Sequence, residues 1–141
     1  MSNAEPETIH VDEPVFRRFR ASLRISGDRL DTNELSRALG LTPTHTHRKG
    51  DPHAGGFRSN TIWIFEPAVD RTRPLDEHIM ALWDAVRPNI PYLRELKQKF
   101  RVDIFCGYRS NSDNAGFVVD YRCLGLFAEL EIPFGVSVVI S

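Results

Sequence analysis

The sequence predicts an α+β sandwich: a ferredoxin-like βαββαβ arrangement with a C-terminal αβ extension, built on a mainly antiparallel sheet. Three observations carry this. Phe19 to Ser26 alternate apolar and polar residues with a period of two. Residues 31–40 hold both the start and the stop signals of a short helix. From residue 71 onward, helical and strand periodicities take turns to the last residue.

The elements follow in order. In the first strand Phe19, Ala21, Leu23 and Ile25 fall on one side, with Arg18, Arg20, Ser22, Arg24 and Ser26 on the other. Gly27 and Asp28 end it. Asp31 stands at an N-cap position with Glu34 three residues later, and Leu30 and Leu35 occupy the staple positions. Leu35, Ala38 and Leu39 make the expected buried stripe and Gly40 the left-handed stop, which predicts a helix over 32–39. Thr44 to His47 alternate again, and a Gly/Pro-rich connection leads to the β-rich run Thr61 to Phe65, together a hairpin with a long, mobile loop. Leu75, Ile79, Leu82 and Val86 keep helical spacing behind Asp76 and Glu77, until Pro88 and Pro91 break the pattern. It resumes through Tyr92, Leu93, Leu96 and Phe100. Val102, Ile104 and Cys106 define another strand, Asp120 can cap a third helix buried through Leu124, Phe127 and Ala128, and Val136, Val138 and Ile140 end the chain as a strand. A variant without the His45 strand gives two βαβ units of the same fold class.

At 141 residues, with 41% hydrophobic and 26% charged positions, the chain suits one globular domain without a structural metal or disulfide. That domain is placed at 14–141. Residues 1–13 carry Glu5, Glu7, Asp12 and Glu13 and no Lys or Arg, and are expected to be a flexible acidic tail. The remainder has eighteen bases against fifteen acids, a mild excess below the basic stripe usual in nucleic-acid binders, so charge alone does not argue for such a partner, and nucleic acid is not the expected one. No apolar run is long enough for a membrane span, no signal peptide is visible, and two cysteines make no disulfide framework, so a cytoplasmic protein is expected.

Chemistry gathers between Leu39 and Pro67. On a strand, His45 and His47 share a face and could share a metal ion, with His53 as a third ligand. The competing reading is three solvated histidines on a loop, since spacing fixes no carboxylate or cysteine beside them. His47, Arg48, Lys49 and Gly50 could form an anion site, with side-chain charge and a glycine N–H meeting a phosphate or carboxylate. Gly50-Asp51-Pro52 is equally ordinary turn chemistry. The P-loop spacing is absent. Gly116 to Tyr121 imitates an RNA-binding aromatic strand but lacks its leading base and contains Asp120. Arg18, Arg20 and Arg24, with an exposed Trp63 or Phe105, could serve single-stranded nucleic acid on an open sheet. Helices from residues 75–99 are expected to cover that face or to pack the aromatics into the core, and Trp63 to be core. Cys106 and Cys123 suit buried positions rather than a nucleophile's role.

The order SLRISGDRLDTNELSRALGLTP, HRKGD, a loop and TIWIF resembles the bacterial family catalogued as domain of unknown function 4279 (DUF4279). Ser26, Gly27, Leu39, Gly40, Pro43, Lys49, Gly50, Asp51 and Trp63 match its pattern, over roughly residues 16–141. The resemblance implies a small bacterial domain and assigns no reaction, cofactor or catalytic residue.

The expectation is therefore a non-enzymatic binding module without a cofactor. It would recognise a protein or a small anionic ligand through the hairpin 44–60, using His45, His47, Arg48, Lys49, Gly50, Asp51 and His53. A hydrolase centred on His45, His47 and His53, and single-stranded nucleic-acid binding, are the alternatives. An exposed final strand could pair with a second copy as a homodimer.

Overall fold

The alternating stretch forms β1 (Arg17–Gly27), and it becomes the middle of the sheet. A computed structural model describes residues 14–141; the acidic segment 1–13 lies outside the described residues. After β1 come α1 (Thr32–Leu39), β2 (His45–His47), β3 (Pro52–His53), β4 (Gly56–Phe57), β5 (Thr61–Phe65), α2 (Leu75–Val86), α3 (Ile90–Leu96), β6 (Arg101–Ser110), α4 (Gly125–Leu130) and β7 (Val136–Ile140). The main sheet has the order β2-β5-β1-β6-β7, antiparallel throughout except for the parallel pair β6 and β7. β2 is a strand of this sheet, which removes the variant without it. β3 and β4 form a separate two-stranded ribbon.

β1 pairs along both edges, with β5 from Leu23 to Gly27 and with β6 from Arg17 to Ser26. Its period-two pattern therefore sorts the whole sheet into two faces. Phe19, Ala21, Leu23 and Ile25 join Trp63 of β5 and Val102, Ile104, Cys106 and Tyr108 of β6 on the buried face. The helices lie there: α2 contributes Leu75, Ile79, Leu82 and Val86 to the same core, α3 Leu93, and α4 Leu126 and Leu130. α1 is tied to it where the Trp63 indole Nε1 donates to the Ser36 hydroxyl at 2.9 Å. Trp63 is fully buried, as its place in an apolar alternation suggests.

Local signals set the ends of α1. The Asp31 carboxylate accepts the N–H groups of Asn33 and Glu34 at 3.1 and 3.0 Å. Gly40, at φ 66°, sends its N–H back to Ser36. Within the stripe Leu35 and Leu39 are buried while Ala38 is exposed. At Arg87–Asn89 a 3-10 turn separates α2 from α3, and Pro91 enters the first turn of α3, where a missing N–H does no harm. Asp120 does cap the third helical region, but its first turn, Tyr121–Leu124, is 3-10. Three residues per turn shift the phase, so Cys123, Leu126, Phe127 and Leu130 are buried whereas Leu124 and Ala128 are not. Gly125 sits where a Cβ would meet the Trp83 ring at 2.5 Å, which explains a glycine inside a helix. Gly116–Asp120 has no regular structure, so the aromatic-strand likeness there has no strand behind it.

Two predictions follow from the core. Ser36→Ala would leave the buried Trp63 N–H without an acceptor, costing about 1–3 kcal/mol in urea unfolding. The loss should shrink when Trp63→Phe removes the donor as well. His78, 1% exposed on α2, lies with Nε2 3.2 Å from the Arg73 carbonyl and Nδ1 unpartnered. Burial holds its pKa below the ordinary imidazole value, with the Arg73 carbonyl and the Glu66 charge opposing only in part. The unfolded chain then binds the proton more readily, so stability should be lost as pH falls through about 6.5 toward 5. His78→Leu should flatten that dependence, measured as the denaturant midpoint at pH 7 and pH 5.

Candidate functional site

The segment 44–60 is held more firmly than a Gly/Pro-rich loop suggests. Thr44 donates its N–H to the Ile64 carbonyl at 2.7 Å, and Glu66 donates its N–H to the Thr44 hydroxyl at 2.8 Å. β2 then runs against β5, with His45 opposite Ile64 and His47 opposite Ile62. Beyond the sheet the chain closes on itself. Gly50 N–H donates to the Arg58 carbonyl at 2.9 Å, and Arg58 N–H donates to the Asp51 carbonyl at 2.8 Å. The loop expected to be irregular thus contains the ribbon β3/β4, turned by Ala54 and Gly55 at φ 43° and 83°. Positive φ at both central residues matches the twist of a tight hairpin.

This closure decides what the predicted residues can do. Asp51 is a latch: its carboxylate accepts the Arg48 N–H at 2.9 Å, and its own N–H donates to the Arg48 carbonyl at 3.0 Å. Lys49 donates its N–H to the Thr61 hydroxyl and pairs its ammonium with Asp28 at 3.1 Å, both side chains more than half exposed. Gly50 adopts φ 93°, which favours glycine. The backbone donors of Arg48, Lys49 and Gly50 are therefore already used within the hairpin. An anion meeting this turn would have only side-chain charge to hold it.

His45 and His47 do share a face and meet: His45 Nε2 and His47 Nδ1 lie 3.2 Å apart, one ring donating to the other. Partial burial, then the Arg58 guanidinium and the His45 ring, lower the His47 pKa against opposing contributions from Asn60 and Asp51. His53 lies in β3, in the separate ribbon. Among the described residues no three His, Cys, Asp or Glu side chains gather as a metal-ligand group. The geometry brings two histidines together and leaves the third apart.

One feature escaped the sequence. Phe57, at the end of β4, is 75% exposed, the most exposed phenylalanine of the described chain. Only the ribbon places it outside; apolar composition alone would have sent it inward. Among the described residues the polar face of β1 is also open, because α2 packs on the opposite side; of the two outcomes expected for the 75–99 helices, covering that face or packing the aromatics into the core, the second holds for Trp63. Arg20 and Arg24 stand there over the Phe105 ring, 5.8 and 5.2 Å from its centroid. Glu66 takes Arg20 at 2.7 Å, and Asp103 takes Arg24 at 2.8 Å. Both cysteines are buried and unpaired, and burial pushes the Cys106 thiol up to about 12, far from a reactive thiolate.

No helix of the described residues is long and apolar enough to cross a membrane. No curated protein and no solved structure matches the chain. A family model described as Domain of unknown function (DUF4279) matches residues 17–140, almost all of what the structure describes. With Gly27, Gly40, Gly50, Asp51 and Trp63 each at a turn, cap, latch or core position within that span, the chain belongs to the DUF4279 family.

Proposed function

We propose that this chain is a non-enzymatic binding module that recognises a partner protein through the hairpin 44–60, with Phe57 as its apolar anchor. The observation that carries this is a large aromatic side chain left in solvent on a ribbon whose backbone is closed. Exposed aromatics on rigid elements are favoured anchors, because little chain entropy is lost when they are covered. His53 and the solvated Arg48 and Lys49 would form the polar rim. The hydrolase reading gains no support, since His45 and His47 bond to each other and, among the described residues, have no third ligand beside them. Buried, unpaired thiols suit the reducing cytoplasm of a bacterium, the setting we infer. The order β2-β5-β1-β6, with β5 antiparallel to both β1 and β2, supports a ferredoxin-like assignment with β7 appended. The open edge of β7, with Val138, Val139 and Ile140 exposed, leaves room for a homodimer.

A photo-crosslinking side chain at position 57 tests the partner reading. Expressed in cells, it should give a discrete adduct that the same group at the still more exposed Val118 does not. Phe57→Ser should abolish capture of that partner by the otherwise unmodified chain and change stability by about 0.5 kcal/mol or less. Asp51→Ala, which opens the latch, should weaken capture several-fold. A discrete adduct from position 118 alone, or capture indifferent to Phe57→Ser, would sink the proposal.

A further inference from the structure

On the uncovered sheet face β1 and β6 carry their side chains in register, with Arg18 directly opposite Arg109 and Arg20 opposite Gly107. Like charges facing each other across a strand pair are destabilising unless an opposite charge stands between them. Among the described residues neither Arg18 nor Arg109 forms an ion pair. Arg18 donates to the Arg17 carbonyl at 3.0 Å and lies over the Phe16 ring, and Arg109 donates to the Ser141 hydroxyl at 3.4 Å. Asp70 is close enough for its carboxyl to feel Arg18, but that carboxylate is taken up by the N–H and hydroxyl of Thr72 at 2.8 and 2.6 Å.

Two more guanidiniums are brought to the same place. The Phe19 N–H donates to the Arg71 carbonyl at 2.8 Å, which lays the segment after β5 along β1. The Glu66 carboxylate then accepts from Arg20 at 3.1 and 2.7 Å and from Arg71 at 3.4 Å. One acid thus holds two arginines while neutralising one charge. Between them Gly107 forms the floor. A Cβ there would meet Arg20 Cγ at 3.0 Å and Phe105 Cε2 at 3.1 Å, so glycine lets those two side chains close in. The result is a groove of about 420 Å³ walled by Arg18, Arg20, Arg71 and Arg109, with Phe105 and Val139 as its apolar surface. That volume lies within the range of small-molecule sites, roughly 300–1,000 Å³.

We propose that this groove binds a small phosphate-bearing molecule. The phosphate bridges Arg18 and Arg109, takes further hydrogen bonds from Arg20 and Arg71, and leaves the organic part of the ligand against Phe105 and Val139. A planar carboxylate satisfies one or two guanidinium forks; four arginines from three segments suit a tetrahedral dianion with more acceptor oxygens. The site is separate from the Phe57 ribbon and stands or falls independently of it.

Calorimetric titration of the full chain at low ionic strength with inorganic phosphate, phenyl phosphate and benzoate tests the assignment. Phenyl phosphate should bind tighter than inorganic phosphate, benzoate more weakly than either, and all should weaken at about 0.15 M salt. Arg18→Gln and Arg109→Gln should each reduce phenyl phosphate affinity about tenfold or more, and Gly107→Ala should abolish binding. Arg37→Gln, at an exposed base of α1 outside the groove lining, should leave it unchanged. Without ligand, Arg109→Gln should keep or raise the melting temperature, because it removes a repulsion, so lost binding will not be confused with lost folding. Phosphates that do not bind at millimolar concentration, or that bind equally well to Arg18→Gln and Arg109→Gln, would overturn the proposal. Tighter binding of an oligothymidylate that depends equally on Arg24 and Arg101 would replace the small ligand with an extended nucleic acid.

Discussion

The pairing of β1 along both of its edges is the constraint on which the other elements depend. From Leu23 to Ser26, where both edges are laddered, the strand has no free backbone groups to offer, so its identity is expressed through its two faces. Phe19, Ala21, Leu23 and Ile25 demand a cover, and the helices supply it. Burial of these side chains and their partners is the main stabilising term, since each fully buried aliphatic or aromatic contributes roughly 1.5–3 kcal/mol. Once the helices are committed to that side, the arginines of β1 have nowhere to point except into solvent on the other.

That second face shows how a chain of net charge −1 can carry a strongly basic surface. Two acids are each shared by two arginines: Glu66 by Arg20 and Arg71, and Asp103 by Arg24 and Arg101. Sharing positions the guanidiniums without neutralising them. Exposed pairs of this kind add little stability, and their effect is chiefly geometric. The hairpin uses a different device. Its latch joins a carboxylate to a backbone donor: the Asp51 side chain accepts the Arg48 N–H while the Asp51 N–H returns to the Arg48 carbonyl, so the turn is closed without a partner cation.

Much of this was legible from residues in order along the chain. The α1 boundaries follow from Asp31 and Gly40, the break between α2 and α3 from Pro88 and Pro91, and the core status of Trp63 from alternation. The misses share a cause: they depend on what another segment does. The phase of the last helix shifted because its first turn is 3-10, a choice that spacing does not reveal. The open arginine face was itself legible in β1, whose apolar residues all fall on the other side. Arg71 reaches the groove through a backbone bond to Phe19, fifty-two positions earlier in the chain, and an ion pair with Glu66. Gly107 was the available signal, a glycine inside a strand pattern that marks a close approach. The candidate histidines were correctly placed on one face, but their mutual hydrogen bond is a contact that spacing permits and does not require.

The position of β1 also has a consequence for synthesis. It is the earliest strand of the described chain, yet its partners β5 and β6 begin only at Thr61 and Arg101, and the helix that first covers its apolar face begins at Leu75. While the ribosome is still making residues 28–100, this strand has an open edge on the β6 side and a greasy face waiting for α2. Domains whose early segments depend on late ones nucleate slowly and remain open to wrong partners for longer. The arginines at positions 18, 20 and 24 put charge along that unpaired strand, the kind of feature that disfavours edge-to-edge pairing with another copy before its own neighbours emerge.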